Sequence, residues 1–488
     1  TFKSPRKPAP SLMKKSYSFL LPAILAFFAV ASVASAAVKL PSILGSHMVL
    51  QQGEPVPVWG WADPGEEVTV TFHDAKVSAK AGKDGKWQVD LPASKANAKG
   101  ADLVVKGSNE IKLSDVLVGE VWLCSGQSNM EWTVSRSANA KEEIANAKHP
   151  LIRHVKVPHK LSLTPQDDVQ TGGWQVCSPS TVANFTAVGY FFGRHLHQEI
   201  KVPIGLIGSN WGGTRIEPWT PAEGFKAVPA LKASHADKLD QFAQGKPGRG
   251  TPTHMHNAMI SPLLPYAIKG AIWYQGESNN GEGMLYHEKM KALIAGWRSV
   301  WNKPDLHFYF VQLAPYKYRG DPKSLPGIWQ AQLETLKVPH TGMAVTTDIT
   351  TLTNIHPPNK QDVGKRLALW ALAKDYGNDK IVYSGPLFDK ADHSDGGKGS
   401  ITVHFKKLGG RHIGLKTTDE KDPTHFEVAG KDGAWHPAET LTVYGDHIVA
   451  KSKMVKEPVH VRFGWDQLAT PNLVNRAGLP ASPFTSQK

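Results

Sequence analysis

The sequence of 488 residues has only one long apolar run, and this run lies close to its beginning. The run, "FLLPAILAFFAVASVASA", follows the basic segment Met13-Lys14-Lys15, contains Pro22 and ends in Ala34-Ser35-Ala36. A short apolar stretch that ends in a small-residue cleavage pattern predicts a secretory signal peptide cut after Ala36, and it argues against a membrane span. No cysteine stands at the cleavage site, so a lipid anchor is not expected. We predict a secreted or periplasmic protein in which residues 1–36, upstream residues plus signal peptide, take no part in the fold.

Cysteine is scarce, because only Cys124 and Cys177 occur. In an exported protein a single pair favours a disulfide, but Cys124 lies in a turn where small buried thiols also occur, so the pairing stays open. The sequence also lacks the cysteine and histidine spacing of a metal site. His254 and His256 lie two residues apart, and no third ligand is positioned near them. We therefore expect neither a metal nor another cofactor.

The sequence has no cluster of basic residues interleaved with aromatic ones. The formal net charge is +13, but residues 1–36 contribute five cations and no acid. The other Lys and Arg residues are spread along the chain, which argues against nucleic acid as a partner. The remaining positive charge is compatible with attraction to an acidic sugar.

Two regions show the alternation and turn signals of β-structure. Residues 37–113 contain "VPVWGWADPGEEVTVTFHD" and "KDGKWQVDLP", which predict strands joined by Asp-Pro-Gly and Asp-Gly turns. This pattern predicts an N-terminal β-sandwich. Residues 380–488 contain several short strands, with a hairpin turn at residues 430–433, and predict a C-terminal β-domain.

Residues 114–379 follow a different pattern, in which short apolar strands alternate with helical stretches. The predicted helices are "FTAVGYFFGRHLHQEI", "LYHEKMKALIAGWRSVW" and "NKQDVGKRLALWALAKDYG". The predicted strands are "GEVWLCSG", "VPIGLIGSNWGG", "IKGAIWYQGES", "HFYFVQLAPY" and "GMAVTTDI". Alternation of strands and helices predicts an α/β domain with a parallel sheet covered on both faces. Ligands of such sheets bind at the carboxyl ends of the strands. The polar residues 228–252 predict an excursion from this domain.

The first of these strands ends in a polar turn, "CSGQSNMEW", with a serine in its middle. A strand-to-helix turn of this kind presents a nucleophilic hydroxyl above the edge of a sheet, which makes Ser128 a candidate nucleophile. An ordinary turn with Ser128 as the helix N-cap has the same appearance. The nine residues alone do not separate these two interpretations.

Later strand ends supply the other groups that acyl transfer needs. Gly212 and Gly213 in "NWGGT" leave backbone N–H groups free to face an oxyanion, and Gln275 in "WYQGESN" carries a side-chain amide that can donate to it. His356 lies in the loop after the last predicted strand, directly before two prolines and a helix, so the prolines make its loop rigid. Attack by Ser128, with His356 as base, follows the logic of ester hydrolysis.

At this point the sequence resembles the sialate O-acetylesterase family within the SGNH hydrolases. The similar blocks are "LCSGQSNMEW", "NWGGT", "GAIWYQGESN", "IHPPNKQDVGKRLALWAL", "LGSHMVLQQGEPVPVWGWADPGEEV" and "PVHVRFGWDQLATPNLVNRAGLPASPF". The resemblance implies a flavodoxin-like SGNH core with flanking β-sandwich regions, and hydrolysis of acetyl esters on sugars. By position it makes Ser128 the nucleophile and an oxyanion donor, Gly213 (or Gly212) and Gln275 further donors, and His356 the base.

One departure from the family pattern concerns the third member of the triad. Family members have an aspartate before the histidine, whereas this sequence has Asn354. Three ways of orienting His356 stay open: the Asn354 carbonyl oxygen, Asp348 at the end of the preceding strand, or a backbone carbonyl. We rank the dyad with Asn354 slightly ahead of Asp348.

Four further residues near the turns are candidates for substrate binding: Gln127, Trp211, Arg215 and Glu277. Trp rings stack on sugars, although most of the Trp residues are expected in the core. We expect Glu277 to pair with Arg215 or with a backbone N–H.

The predicted function is removal of acetyl groups from an O-acetylated carbohydrate partner. The sugar stays open between sialic acid and plant-wall or bacterial glycans. The alternative from another class is a glycan-binding protein with a weakened site, suggested by Asn354. Glycosidase chemistry needs two facing carboxylates, and no two acids in the turns have a reason to face each other.

Overall fold

The computed structural model describes residues 37–393, 399–408 and 414–487. The predicted signal peptide and the upstream residues lie outside the described residues. Within these ranges no helix is both long enough and apolar enough to cross a membrane.

The described chain contains three groups of strands and a set of α-helices. The N-terminal strands are β1 (Val49–Gln51), β2 (Val56–Trp61), β3 (Glu67–Phe72), β4 (Ala75–Lys80), β5 (Lys86–Leu91) and β6 (Asn97–Lys106). The central strands are β7 (Glu110–Gly126), β8 (His149–Lys156), β9 (Gln175–Cys177), β10 (Ile204–Asn210), β11 (Gly270–Tyr274), β12 (His307–Val311) and β13 (Thr341–Ala344). The C-terminal strands are β14 (Phe388–Asp392), β15 (Ile401–Phe405), β16 (Leu415–Thr417), β17 (Phe426–Ala429), β18 (Trp435–Pro437), β19 (Thr440–Tyr444), β20 (His447–Lys451), β21 (His460–Phe463), β22 (Leu473–Asn475) and β23 (Phe484–Thr485). The α-helices are α1 (Ser128–Glu131), α2 (Ala140–Ala145), α3 (Ala187–Ile200), α4 (Ala222–Ala227), α5 (Leu239–Phe242), α6 (Leu285–Val300), α7 (Ser324–Thr335) and α8 (Lys360–Lys374).

The central strands form a sheet in the order β13-β12-β11-β7-β10-β8-β9, and all neighbours are parallel except β8 and β9. Strands β10 and β11 are buried along their whole length, because their apolar side chains face helices or other elements on both sides. Helices α3 and α8 pack against each other, and α6 packs beside α7. The predicted α/β fold with a parallel sheet is confirmed.

The strand order also explains where a site can form. Strands β10-β7-β11-β12-β13 have the order 2-1-3-4-5 of a flavodoxin-like sheet, and β8 and β9 extend it beyond β10. The strands that follow β7 lie on opposite sides of it, β8 and β10 on one side and β11 on the other, so the carboxyl end of β7 lies at a topological switch point. Ser128 follows this end directly.

The N-terminal strands β1, β3, β4 and β6 belong to the same sheet as the central strands, because β7 takes part in both regions, whereas β2 and β5 form a two-stranded sheet of their own. Its first part pairs with β6 and β1, and its last part pairs with β10 and β11. The predicted boundary between residues 113 and 114 therefore falls inside one continuous strand. Buried side chains join the two regions: the Tyr266 hydroxyl donates to Val49 O at 2.7 Å, and Trp174 Nε1 donates to Ile43 O at 2.8 Å.

The C-terminal strands form separate antiparallel sheets. These sheets have the orders β14-β15-β20-β19, β18-β17-β21-β23 and β16-β22. Gln312, just after β12, donates to the Ser482 hydroxyl at 2.9 Å and so ties the C-terminal region to the central one.

Residues 228–252, the predicted excursion, contain short helical turns and α5. Phe225, Val228 and Leu231 form a small apolar cluster with Ala292 of α6, which anchors the start of this segment. Cys124 and Cys177 are both buried and free, so they do not form a disulfide. Burial raises the pKa of each thiol.

Candidate active site

The turn after β7 is shaped by a glycine that no other residue can replace without strain. Gly126 has a φ of +133°, and a Cβ at this position would lie 2.2 Å from Tyr274 O of β11. The close approach lets Gln127 N donate to the same carbonyl at 2.9 Å. Ser128 then begins α1, with its side chain at the switch point of the sheet. The interpretation of Ser128 as an N-cap is wrong, because Gln127 occupies that position.

His356 reaches Ser128 from a loop 228 residues further along the chain. Pro357 and Pro358 follow it, and Asn359 caps α8 by accepting a hydrogen bond from Asp362 N at 3.1 Å. The rigid loop places His356 Nε2 at 2.8 Å from Ser128 Oγ. With the ring proton on Nδ1, the serine hydroxyl donates to Nε2, which is the geometry of a nucleophile and its base.

The surroundings of the imidazole favour its neutral form. Burial lowers the pKa of His356, and the cations Lys360 and Arg136 lower it further. The ring stacks on Trp132 with 4.8 Å between ring centroids and 19° between planes. A neutral imidazole is the form that accepts a proton from serine.

Neither side chain proposed to orient the His356 ring contacts it. Asn354 Oδ1 accepts a hydrogen bond from His356 N at 2.9 Å, so it holds the backbone instead. Asp348 is paired with Arg366 through two hydrogen bonds of 2.6 Å, because a guanidinium satisfies both carboxylate oxygens. Within the described ranges, His356 Nδ1 has no hydrogen-bond partner, neither a side chain nor a backbone carbonyl.

The first of the paired glycines in the second turn lies against the serine. A Cβ on Gly212 would be 3.1 Å from Ser128 Cβ, but Gly212 N already donates to Glu131 Oε2 at 2.7 Å. Gly213 is exposed and has a φ of +68°. In the part of the chain that the structure describes, the N–H groups of Gly213 and Ser128 have no acceptor. Between the two glycines, the geometry therefore favours Gly213 as an oxyanion donor.

Gln275 does not face the site as a free donor. Its side chain is fully buried, and Nε2 donates to Asn279 Oδ1 at 2.8 Å, to Gln127 Oε1 at 3.1 Å and to Thr214 O at 3.1 Å. Two amide hydrogens with three protein acceptors leave none for an oxyanion. Gln127 is likewise buried and also accepts from Ser278 N at 3.3 Å, so both glutamines hold the turns together.

A buried network behind the nucleophile was not foreseen from the sequence. Asn129 Nδ2 donates to Glu277 Oε1 and to Ile355 O, and Asn129 Oδ1 accepts from Lys360 Nζ. Burial lowers the pKa of Lys360 to about 7, and burial raises the pKa of Glu277. The network links the residue after Ser128 to the residue before His356. The only sequence signal for it was the position of Asn129 and Lys360 inside the two motifs.

Of the two partners predicted for Glu277, Arg215 is wrong, since Arg215 belongs to another cluster, whereas the backbone N–H is that of Glu277 itself. Arg215 contacts Glu217 and Glu282, and Lys289 Nζ donates to the same two carboxylates at 2.6 Å and 2.7 Å. Because these partners neutralise one another, Arg215 chiefly holds the turn after the glycines.

Trp211 lies at the mouth of the site, half-buried. Its ring stacks on His159 with 4.3 Å between centroids, and Arg249 lies over it at 5.4 Å. His159 and Lys156 also contact Glu131. Within the described ranges, no group of three or more His, Cys, Asp or Glu side chains is placed to hold a metal ion.

Comparison with known proteins agrees with this geometry. The profile of the family described as carbohydrate esterase, sialic acid-specific acetylesterase, matches residues 118–373. The sialate O-acetylesterase of Rattus norvegicus is 32% identical over 92% of this chain and 94% of its own, and that of Homo sapiens is 30% identical over 91% and 92%. The crystal structure of a carbohydrate acetylesterase from Xanthomonas citri is 38% identical, covers 93% of this chain and 100% of its own, and superposes with a TM-score of 0.84. The chain therefore belongs to the carbohydrate esterase family of sialic acid-specific acetylesterases, which are carboxylic ester hydrolases.

Proposed function

We propose that this protein removes acetyl groups from O-acetylated sugars by covalent catalysis through Ser128. The observation that supports the proposal most directly is the distance of 2.8 Å between Ser128 Oγ and His356 Nε2. The free N–H groups of Ser128 and Gly213 supply the donors that a tetrahedral oxyanion needs. One such donor contributes about 3 kcal/mol to transition-state stabilisation.

The reaction proceeds in two halves. His356 Nε2 takes the hydroxyl proton while Ser128 Oγ attacks the acetyl carbonyl carbon, and the N–H groups of Ser128 and Gly213 face the oxyanion. The imidazolium then protonates the sugar oxygen, which leaves as a free hydroxyl. Water, deprotonated by the same nitrogen, attacks the acetyl-serine. The imidazolium returns this proton to Ser128 Oγ as the bond to the acetyl carbon breaks, and acetate is released.

The base works as a member of a dyad in this proposal. Asn354 fixes the backbone of His356, and Asp348 fixes the start of its loop through Arg366. A dyad suffices for an ester because resonance stabilises the ester carbonyl less than an amide carbonyl, so an ester is easier to cleave. The proton on Nδ1 faces no described carboxylate.

The substrate class follows from the relatives, which are named for sialate or for carbohydrate acetyl esters. We propose an acetylated sialic acid as the first substrate to test and acetylated plant-wall or bacterial glycans as the alternatives. Lys156, His159 and Arg249 near Trp211 are compatible with a sugar that carries a carboxylate.

The signal peptide predicted before Ala37 places this activity outside the cytoplasm. N-terminal sequencing of protein collected from the periplasm or medium checks this point, with Ala37 expected as the first residue. A mature protein that retains Met13 would contradict export by cleavage.

Acetate release from acetylated sialic acid and from a panel of acetylated polysaccharides tests the function, with 4-nitrophenyl acetate as the generic ester. We expect Ser128→Ala to lower kcat by about a thousandfold or more on every substrate that the wild type hydrolyses. His356→Ala is expected to cause a similar loss, because nucleophile and base act as one unit. Full activity in Ser128→Ala, or glycan binding without turnover in the wild type, would contradict the proposal.

A further inference from the structure

The catalytic imidazole lacks the acidic partner that usually fixes its orientation. In the described ranges, Nδ1 of His356 has no hydrogen-bond partner, while Asn354 binds the backbone and Asp348 binds Arg366. One hydrogen bond to Ser128 leaves the ring free to rotate about its bonds. Another contact must therefore hold the ring plane.

Trp132 makes that contact. Its ring lies 4.8 Å from the imidazole, at 19° to its plane, so the two rings are stacked face to face. Ser128 and Trp132 are four residues apart at the two ends of one helical turn, where side chains lie on the same face. The imidazole is thus positioned by the nucleophile at its Nε2 and by Trp132 on its face.

The tryptophan is itself held firmly. Its backbone N donates to Ser128 O at 2.8 Å, and its carbonyl accepts from Ala187 N at 2.8 Å. Its indole N–H donates to Arg136 O at 2.7 Å, and the Arg136 guanidinium carbon lies 3.7 Å from a Trp132 ring centroid. These contacts fix the orientation of the indole ring. The fixed indole in turn restricts the orientation of the His356 ring that stacks on it.

The charges around His356 make this stack more important. The cations that face the imidazole are Arg136 and Lys360, and no described carboxylate contacts the ring. The imidazolium formed during catalysis therefore receives no direct ionic stabilisation. An aromatic face attracts a cation through its quadrupole, so Trp132 also stabilises the protonated ring.

We propose that Trp132 is the positioning residue for His356 and takes the place of the triad carboxylate. This inference rests on the proposed function, because it concerns the same serine and base. The proposal predicts that turnover needs an aromatic ring at position 132, and that an aliphatic side chain of similar size does not replace it.

The test compares Trp132→Phe with Trp132→Leu, which both fill the site but differ in the aromatic face. On 4-nitrophenyl acetate, we expect Trp132→Phe to keep kcat within about fivefold of the wild type. We expect Trp132→Leu to lower kcat by about thirtyfold or more while KM changes by less than about threefold, because the base loses its orientation. The rate at which a fluorophosphonate labels Ser128 should fall in parallel.

The matched controls are Trp435→Phe and Trp435→Leu, since Trp435 of β18 lies in the C-terminal region, where its ring faces Arg462 and His460 instead of His356. Neither control should change the labelling rate of Ser128. Circular dichroism of all four variants identifies any that fails to fold, and the labelling rates are compared only among folded variants. The Phe variant alone still tests the proposal, because a folded Phe variant with a thirtyfold loss would overturn it.

The two proposals fail in different ways. If Ser128→Ala remains active, the proposed function is wrong. If Ser128→Ala is inactive but Trp132→Leu has wild-type kcat and labelling rate, only the role of Trp132 is wrong. Equal losses in the Phe and Leu variants would also overturn that role, because they would show that packing rather than the aromatic face matters.

Discussion

At the scale of single residues, the geometry of the catalytic pair depends on neighbouring residues that position it. Ser128 and His356 meet at 2.8 Å because Gly126 allows β7 and β11 to approach, and because Asn129 donates to the carbonyl of Ile355. No residue of this set performs its role alone. This coupling is why the motifs predicted the pair while their supporting contacts remained hidden.

The charge of Arg136 should contribute to the position of the acid limb of the pH profile. Burial, Lys360 and Arg136 keep the pKa of His356 below its usual value of about 6.5, so the neutral base persists as the pH falls below that value. Arg136→Gln removes one cation and should raise this pKa. The acid limb of kcat/KM on 4-nitrophenyl acetate is therefore expected to move to higher pH. The exposed Arg319→Gln serves as the control, and an acid limb that moves to lower pH in Arg136→Gln would contradict the electrostatic interpretation.

At the scale of secondary structure, the strands and helices that position the site were those with the strongest patterns. The five apolar strands predicted for residues 114–379 correspond to the end of β7 and to β10–β13, and α3, α6 and α8 lie where helical spacing placed them. Strand β8 escaped prediction because Arg153 and His154 interrupt its apolar run, although both are buried in the fold. Helix α7 escaped because Pro326 and Gly327 lie near its start, where a helix tolerates them.

The contacts among side chains were less predictable than the elements. Gln275 was assigned to the oxyanion because it follows a strand, yet its amide hydrogens point to protein acceptors. Trp132 lies in the first motif, which gave no indication that its ring stacks on His356. Which partner a polar or aromatic side chain finds depends on residues more than a hundred positions away, which periodicity does not report.

The turn between β7 and α1 offers a test of the sheet geometry that presents the serine. Gly126→Ala places a Cβ 2.2 Å from Tyr274 O and forces a φ of +133° on alanine. We expect a loss of about 2–4 kcal/mol in the free energy of unfolding and a lower kcat, because the strands must separate. Gly245→Ala is the control, since Gly245 has a φ of +80° but no atom within 4 Å of the added Cβ. Denaturant unfolding of both variants makes the comparison, and equal losses would show that backbone strain alone accounts for the effect.

At the scale of the whole molecule, β7 makes the N-terminal region part of the catalytic one. The strand pairs with β6 and β1 over its first part and with β10 and β11 over its last part. A strand that loses its neighbours at one end frays toward the other, and this strand ends at the serine. A mutation that destabilises the N-terminal strands should therefore also destabilise the active site.

Val105→Ala tests this coupling, because Val105 is fully buried in β6 and pairs with Ile111 in the first part of β7. The cavity should cost about 2 kcal/mol of unfolding free energy. We expect two midpoints in guanidinium chloride to move together to lower concentration. One is the midpoint for loss of esterase activity, and the other is the midpoint for loss of hydrogen-exchange protection in β3 and β6. Val382→Ala is the control, because Val382 is 41% exposed and its truncation should shift neither midpoint. If Val105→Ala lowered the midpoint for β3 and β6 while the activity midpoint stayed in place, the N-terminal sheet would unfold independently, and the shared strand would carry no stability to the site.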